Sequence, residues 1–464
     1  MKIFVVVLLV SLSAFSADRP NILFIMIDDL GWKDLNCQGN DSFQTPNIDK
    51  LAAQGMRFTD AYSASPVCSP TRAAAVTGLY PARLQITQHG EETWRFYKGK
   101  KWGPGKSTGK LLPSYETIAE KLKKNGYETA FVGKWHLSGH DFNEENKKFL
   151  PDNQGFDVNI AGNGWGGPGG VGGFFSPYMI PNLEDGPKGE YMPDRLANEA
   201  INLLTKFSKS EKPFFMCLWH YTVHWPIEAP EKLYKKYSSG KPNDVERYQA
   251  MVEGMDIAVG KTLKALDRLN LSDNTLVVFT SDNGHLSGYT SAAPLRESKG
   301  WLYEGGIRVP LIIRWPGKVK AGQINKEPVL TIDYPPTFME AAGINFDQKD
   351  FDGASLVGEL NGKKKLDRDA IFFHYPHYAF HKENDMGSII RQGDYKLIHK
   401  FEKNVFELYN LAEDISETKN LINSKPELAS ELKKKLSQWK KAVNAQNPRL
   451  KDQIEEKELR GKKL

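Results

Sequence analysis

Short apolar runs recur along this chain, and each one stops at a polar cluster. Asn21 to Ile27 is apolar after its first residue and ends at Asp28-Asp29-Leu30-Gly31. Tyr127 to Val132 ends in Gly133-Lys134-Trp135-His136, and Pro213 to Leu218 runs on to His220, His224 and Pro226. Thr275 to Thr280 ends in Ser281-Asp282-Asn283-Gly284, and Ile307 to Arg314 is the last strong run. A strand that is apolar at every position, rather than at every second one, is covered on both faces. Helical patterns lie between the runs: Thr45 to about Gly55, Ser114 to Asn125, Asp194 to Phe207 and Arg247 to Leu269. The alternation predicts an α/β class with a mainly parallel sheet flanked by helices. In an open sheet of that kind, ligands bind beyond the carboxyl ends of the strands. The polar clusters therefore mark one candidate site.

Length and charge narrow the rest. A chain of 464 residues has room for a large domain and a smaller one. Its 62 basic and 57 acidic residues leave a net charge of only +5, which is no nucleic-acid footprint. The predicted division is 1–16 as a signal peptide, 17–345 as the α/β domain, and 346–464 as linker and C-terminal subdomain. Lys2, the apolar run Ile3 to Leu12 and the small residues before Ala17 read as an export signal, with no transmembrane segment. The expected location is periplasmic or secreted. Residues 161–173 are glycine-dense and read as a mobile loop. In the C-terminal part, Gly393 to Leu397 reads as a hairpin strand. Ser424 and Glu427 read as a capping box before a helix with Leu428, Leu432, Leu436 and Trp439 on one face. The charged tail after Pro448 is expected to fray.

Cys68-Ser69-Pro70-Thr71-Arg72 leads into an alanine run that ends at Gly78. Ser69 reads as a helix cap, Pro70 as its first position and Gly78 as its stop. Cys68 would then precede a helix N-terminus, where the dipole and free N–H groups favour an anion and depress a thiol pKa. Asp28, Asp29 and Asp282 supply carboxylates, and Asn283 supplies an amide carbonyl. Hard oxygen donors of this kind suit Ca²⁺ or Mg²⁺ rather than zinc. Adjacent aspartates repel unless a cation lies between them. The other two cysteines, Cys37 and Cys217, are free to pair, although Cys217, inside an apolar run, reads as a buried thiol.

Cys-x-Pro-x-Arg, with Thr77-Gly78 behind it, is similar to the signature by which sulfatase cysteines are recognised and oxidised to formylglycine. Gly133-Lys134-Trp135-His136 and Tyr303-Glu304-Gly305-Gly306-Ile307-Arg308-Val309-Pro310 match further blocks of that family, and Phe406 to Leu411 resembles its C-terminal block. The chain resembles a type I sulfatase of the arylsulfatase A-like kind over roughly residues 20–420. The resemblance implies an alkaline-phosphatase-like fold, a mixed sheet in the large domain, and a short antiparallel sheet with a helix in the small one. It implies sulfuric ester hydrolysis with formylglycine at Cys68 and with Ca²⁺, ahead of Mg²⁺, on Asp28, Asp29, Cys68, Asp282 and Asn283. Arg72 would neutralise and orient the formylglycine. Lys134 and Lys299 would hold sulfate, and His136 would contact a formylglycine hydroxyl. His224 and Lys299 share the role of acid at the leaving oxygen, and Arg308 would be structural. A formylglycine-generating enzyme is the implied maturation partner.

The expected substrate is a sulfated mono-, oligo- or polysaccharide. Trp165, His285, His374 and His377 are the candidates for contacting it. Two rivals stand beside this reading: a phosphodiesterase or phosphonate hydrolase on the same fold, and a non-catalytic sulfated-glycan-binding relative. Related phosphatases hold two zinc ions with histidine ligands, which the metal set here lacks.

Overall fold

The computed structural model describes residues 19–89, 97, 99–168, 172–381 and 383–454. The predicted signal peptide, 1–16, lies outside them. An eight-stranded sheet forms the centre. Its order is Gln323–Asn325, Met56–Phe58, Leu311–Arg314, Thr275–Ser281, Asn21–Ile27, Phe214–His220, Glu128–Gly133 and Val158–Ile160. Of these eight, Leu311–Arg314 alone runs antiparallel to its neighbours.

The apolar runs have the predicted cause. Leu23, Ile25 and Ile27 face one core, shared with the helices Met192–Phe207 and Asp244–Arg268. Ile22, Phe24 and Met26 face a second core, shared with the helices Cys68–Thr77, Ile118–Lys124 and Tyr334–Ala341. The result is three layers, helix on sheet on helix.

Beyond this body lies a four-stranded antiparallel sheet of Ile371–Tyr375, Gly387–Gln392, Tyr395–Lys400 and Val405–Asn410. One face packs against Tyr62, Ala64 and Val67 of the main body. The other is covered by the helix Pro426–Ala442, whose Ala429, Leu432 and Leu436 meet Ile390, Leu397 and Leu408. Gly393 takes φ +55° in the hairpin turn, a conformation that favours glycine.

Several local expectations are revised. The predicted helix from Ser114 begins at Ile118, because Thr117 and Glu120 form a capping box there. The predicted box at Ser424 and Glu427 does not form; the Ser424 hydroxyl donates back to the Leu421 carbonyl. The strand expected from Ile307 starts at Leu311, after a helical turn at Glu304–Ile307. The first tail residues after Pro448, expected to fray, pair with Trp102–Gly103. Cys37 and Cys217 are both free thiols.

Register decides what the sheet presents at its edge. Ile27 lies opposite both Ser281 and His220, and Gly133 lies opposite Trp219. The strands therefore end level, and the polar cluster that follows each one emerges beside the next.

Phe24 packs edge-on against Trp219, Tyr334 and Phe338, with centroids 5.5 Å away in each case. Phe24→Ala is expected to lower unfolding free energy by about 3–5 kcal/mol. Phe24→Leu should cost clearly less, because more of the volume is kept. Denaturant titration of the two variants measures the difference.

Candidate active site

The helix Cys68–Thr77 starts two residues earlier than its sequence predicts. Val67 is the extended cap and offers no side-chain hydrogen bond, so Cys68 is the first helical residue. Ser69 does not cap. Its hydroxyl donates to the His136 carbonyl at 2.9 Å and ties the helix start to the neighbouring strand end. The helix closes at Gly78, φ +72°, whose N–H donates to Ala74 at 2.8 Å. Cys68 is buried, and burial pushes its thiol pKa up, with Lys134 and Lys299 opposing. That is opposite to the expected depression: desolvation outweighs the pull of the two ammonium groups.

Around Cys68 the strand ends, the helix Cys68–Thr77 and the loop that carries Lys299 bring three carboxylates and three cations together, all buried. Arg72 donates twice to Asp282 Oδ2, from Nε at 2.9 Å and Nη2 at 2.7 Å. Its Nη1 donates to the Lys134 carbonyl at 2.6 Å, and its guanidinium lies over the Trp219 ring. Lys134 Nζ donates to Asp28 Oδ2 at 2.6 Å, and Lys299 Nζ to Asp29 Oδ1 at 2.5 Å. Asp282 Oδ1 accepts the Asp29 backbone N–H at 3.1 Å, which fixes Asp29 at φ 62°. His136 is also left-handed, at φ 60°, and is held by its N–H to Asn163 O at 2.8 Å. Non-glycine residues in that conformation concentrate at functional sites.

Electrostatics follow from this geometry. Burial pushes the Asp28 carboxyl well up, against the pull of Lys134 and Arg72. Burial works against Asp29 too, but Lys299, His224 and Lys134 together hold it low. Burial opposes the Lys299 ammonium, yet Asp29 and the Cys68 side keep its pKa above the usual lysine range. Burial and then Lys299 pull the His224 imidazole down to about 3. His224 Nδ1 donates to the Trp225 carbonyl at 2.7 Å, and Nε2 lies 3.9 Å from Asp29 Oδ2.

A metal ion fits the oxygens here. Asp28 Oδ1, Asp29 Oδ2 and Asn283 Oδ1 are buried without a hydrogen-bond partner. Ligand atoms of Asp28, Cys68 and Asp282 lie within 4.8 Å of one another. Asn283 Nδ2 donates to Asp29 Oδ1 at 2.7 Å, which turns its carbonyl oxygen the other way. Orphaned buried oxygens are costly unless a cation or donor meets them. The donor set is all oxygen apart from Cys68, which matches a hard cation.

The four candidates for substrate contact divide. Trp165 stacks on His140 at 6.4 Å and is half-buried. His285 is buried next to Asn283, and its carbonyl accepts the Lys299 N–H at 2.9 Å. His374 is tied to Ser388 Oγ at 2.7 Å and Gln446 O at 2.6 Å. His377 is tied to Thr87 Oγ1 at 2.8 Å and Tyr97 OH at 3.0 Å. With both ring nitrogens taken by the protein, His374 and His377 tie the strand Ile371–Tyr375 and the loop after it to their neighbours and offer a ligand no free nitrogen.

Sequence reasoning passed over the glycine backbone itself. A Cβ on Gly166 would lie 2.9 Å from the His136 ring, and one on Gly167 would lie 3.0 Å from His224 Nδ1. The glycine density of 161–173 was the available signal: it marks close approach to two histidines as well as freedom of the chain. Residues 169–171 of that loop lie outside the described residues. Trp225, beside His224 and 54% exposed, was also passed over.

Comparison with known proteins follows the same residues. The sulfatase family model matches residues 20–344, and a model described as N-sulphoglucosamine sulphohydrolase, C-terminal, matches 297–442. A sulfatase of Formosa agariphila is 33% identical, covering 91% of this chain and 88% of its own length. Human arylsulfatase A is 32% identical, covering 82% of this chain and 75% of its own. The crystal structure of Ps i-CgsB in complex with k-i-k-neocarrahexaose superposes with a TM-score of 0.76 at 29% identity, over 91% of this chain and 92% of that one. A family match that spans most of the main body and takes in every residue gathered around Cys68 means that this chain belongs to the sulfatase family and is an enzyme of it.

Proposed function

We propose that this protein is an exported, Ca²⁺-dependent sulfatase that removes sulfate from a sulfated carbohydrate, with Cys68 matured to formylglycine. The observation that carries the reading is the cluster itself. Cys68 opens a helix against three buried carboxylates, three buried cations and three orphaned oxygens. Three carboxylates against three cations leave the pocket formally neutral; a bound divalent cation would make it positive, as an anionic sulfate ester requires. The oligosaccharide bound in the superposed crystal structure supports a sugar as the alcohol part. Export rests on the residues before Ala17. Among the described residues no helix is long and apolar enough to cross a membrane.

Maturation of Cys68 would supply geminal hydroxyls at residue 68, the chemistry of a nucleophile that can also release sulfate. Asp28, Asp29, Asp282 and Asn283 would hold Ca²⁺, which supplies Lewis acidity at the same place. This chain's own groups do the rest. Arg72 fixes Asp282 and the Lys134 backbone, so it orients the acidic wall behind residue 68. Lys134 and Lys299 are the ammonium groups able to turn to sulfate oxygens. His224 and Lys299 stand on the side from which the leaving oxygen takes a proton, and Lys299 is the one of the two that holds a proton there at neutral pH. His136, with Nδ1 unpartnered, is the group available to a hydroxyl on residue 68.

The test is sulfate release by protein co-produced with a formylglycine-generating enzyme. Sulfated mono- and oligosaccharides, an aryl sulfate and the matching phosphate esters form the panel. Turnover of a sulfated sugar is expected, and Cys68→Ala should abolish it. Preference for the phosphate esters would transfer the case to phosphoester chemistry, and unchanged Cys68→Ala turnover would remove the nucleophile.

Metal binding has its own readout. Ca²⁺ at about 100-fold above its dissociation constant should raise unfolding free energy by about 2.7 kcal/mol. Asp28→Asn should lose most of that increment, and Mg²⁺ should give less of it. Absence of any Ca²⁺ shift in the unaltered protein would withdraw the metal assignment.

Gly166→Ala is expected to push the His136 ring aside while leaving the core alone. Turnover should fall by about 10–100-fold, because a displacement of about 1 Å suffices for that. The unfolding midpoint should stay close to that of the parent, which separates displacement at the site from loss of fold.

A further inference from the structure

The outer face of the small sheet carries a groove of about 550 Å³, bounded by the helix Pro426–Ala442. Lys433, Lys440 and Lys441 line it together with His399, Phe406 and Asn447. Among the described residues no carboxylate lines it. Lys433 Nζ sits 4.3 Å from the Phe406 ring centre, and His399 stacks on the same ring at 4.1 Å. Lys440 Nζ sits 4.5 Å from the Phe401 ring centre and donates to Asn447 Oδ1 at 3.0 Å.

These cations differ from others on the same helix. Lys435 pairs with Asp369 at 2.7 Å and Glu431 at 3.1 Å. Lys433 and Lys440 are half-buried, and no described carboxylate lies within ion-pair distance of either or of Lys441. Burial alone pulls the Lys440 ammonium down, with no carboxylate opposing it. Two of the three lie in the last turns, where the helix dipole favours a cation, but Lys433 lies two turns earlier. Like charges gathered on a concave, partly apolar surface raise the local potential for an anion. Aromatic faces beside them suit a sugar ring.

We infer that this groove is a second binding site, for a stretch of sulfated saccharide chain held away from the reacting sulfate. The inference rests on the sulfated-carbohydrate reading above and extends it to a polymer. The lysines meet sulfates, and Phe406 with His399 meets a sugar face. The site acts on retention at the polymer and leaves the chemistry at Cys68 untouched.

Binding is measured in a Cys68→Ala background, so that the polymer is not consumed. The probes are a soluble sulfated galactan of defined length and its desulfated counterpart. The triple variant Lys433→Gln, Lys440→Gln, Lys441→Gln should bind the sulfated polymer about tenfold more weakly at low salt, with a flatter salt dependence. The corresponding triple Lys→Arg variant should bind as the parent does, which shows that the fold is kept. With Cys68 restored, the Gln variant should release sulfate from a small sulfated sugar at the parent rate. Equal binding by the Gln variant and the parent, or equal binding of the desulfated chain, would overturn the proposal. Failure of sulfate release by the parent on every substrate would count against the proposed function, and the binding arms decide the groove independently of it.

Discussion

The candidate active site depends on three carboxylates sharing one buried space with three cations. Asp28, Asp29 and Asp282 arrive there because the strands before them end level. Lys134 arrives by the same register two strands away, across Phe214–His220. Burying so many charges does not stabilise a fold: desolvation offsets most or all of the Coulombic gain. The sheet's two apolar faces must supply the stability that lets such a cluster exist at its edge. The cluster in turn requires each charge to be met from a different segment. Arg72 comes from a helix, Lys134 from a strand end, and Lys299 from a loop far along the chain. Losing any one of them leaves a carboxylate stranded.

Lys299 shows why the small sheet belongs to the active body. Its N–H is held by His285, its carbonyl accepts from His381 at 2.8 Å, and the Gly300 N–H donates to Pro66 at 2.9 Å. His381 comes from the loop that follows the strand Ile371–Tyr375. A second buried charge network fastens that sheet to the main body. Lys396 bridges Glu304 at 2.9 Å and Glu417 at 2.8 Å, and Asp60 is shared by Arg308 and Arg391. Arg308, read from the sequence as structural, is a member of this weld. The C-terminal sheet thus positions an ammonium that it does not itself carry.

Strand positions and the polar clusters were legible because they rest on local rules. A run buried on both faces is apolar throughout, and a strand end in an open sheet is where ligands go. What was illegible depended on partners distant in sequence. Ser69 has the chemistry of a cap, but the His136 carbonyl, 67 residues away, takes its hydroxyl. Ser424 and Glu427 have the spacing of a capping box, but the helix starts from Lys425 without one. His374 and His377 carry two nitrogens each, and nothing local says that Ser388, Gln446, Thr87 and Tyr97 occupy all four. Cys68 is a similar case: its helix terminus was visible, while the depth of burial that reverses the expected pKa shift was not.

The contrast between the two cationic regions follows from what each has to hold. At the sheet edge every ammonium or guanidinium already touches a carboxylate, so an arriving sulfate must compete for it. That competition suits a site where the anion must also leave. Along the outer helix, Lys433, Lys440 and Lys441 meet no described carboxylate, and an anion there displaces only water and counterions. Such a surface holds a chain loosely and over several contacts, each weak and screened by salt. On the proposal made above, retention of the polymer and release of sulfate fall to different parts of one molecule.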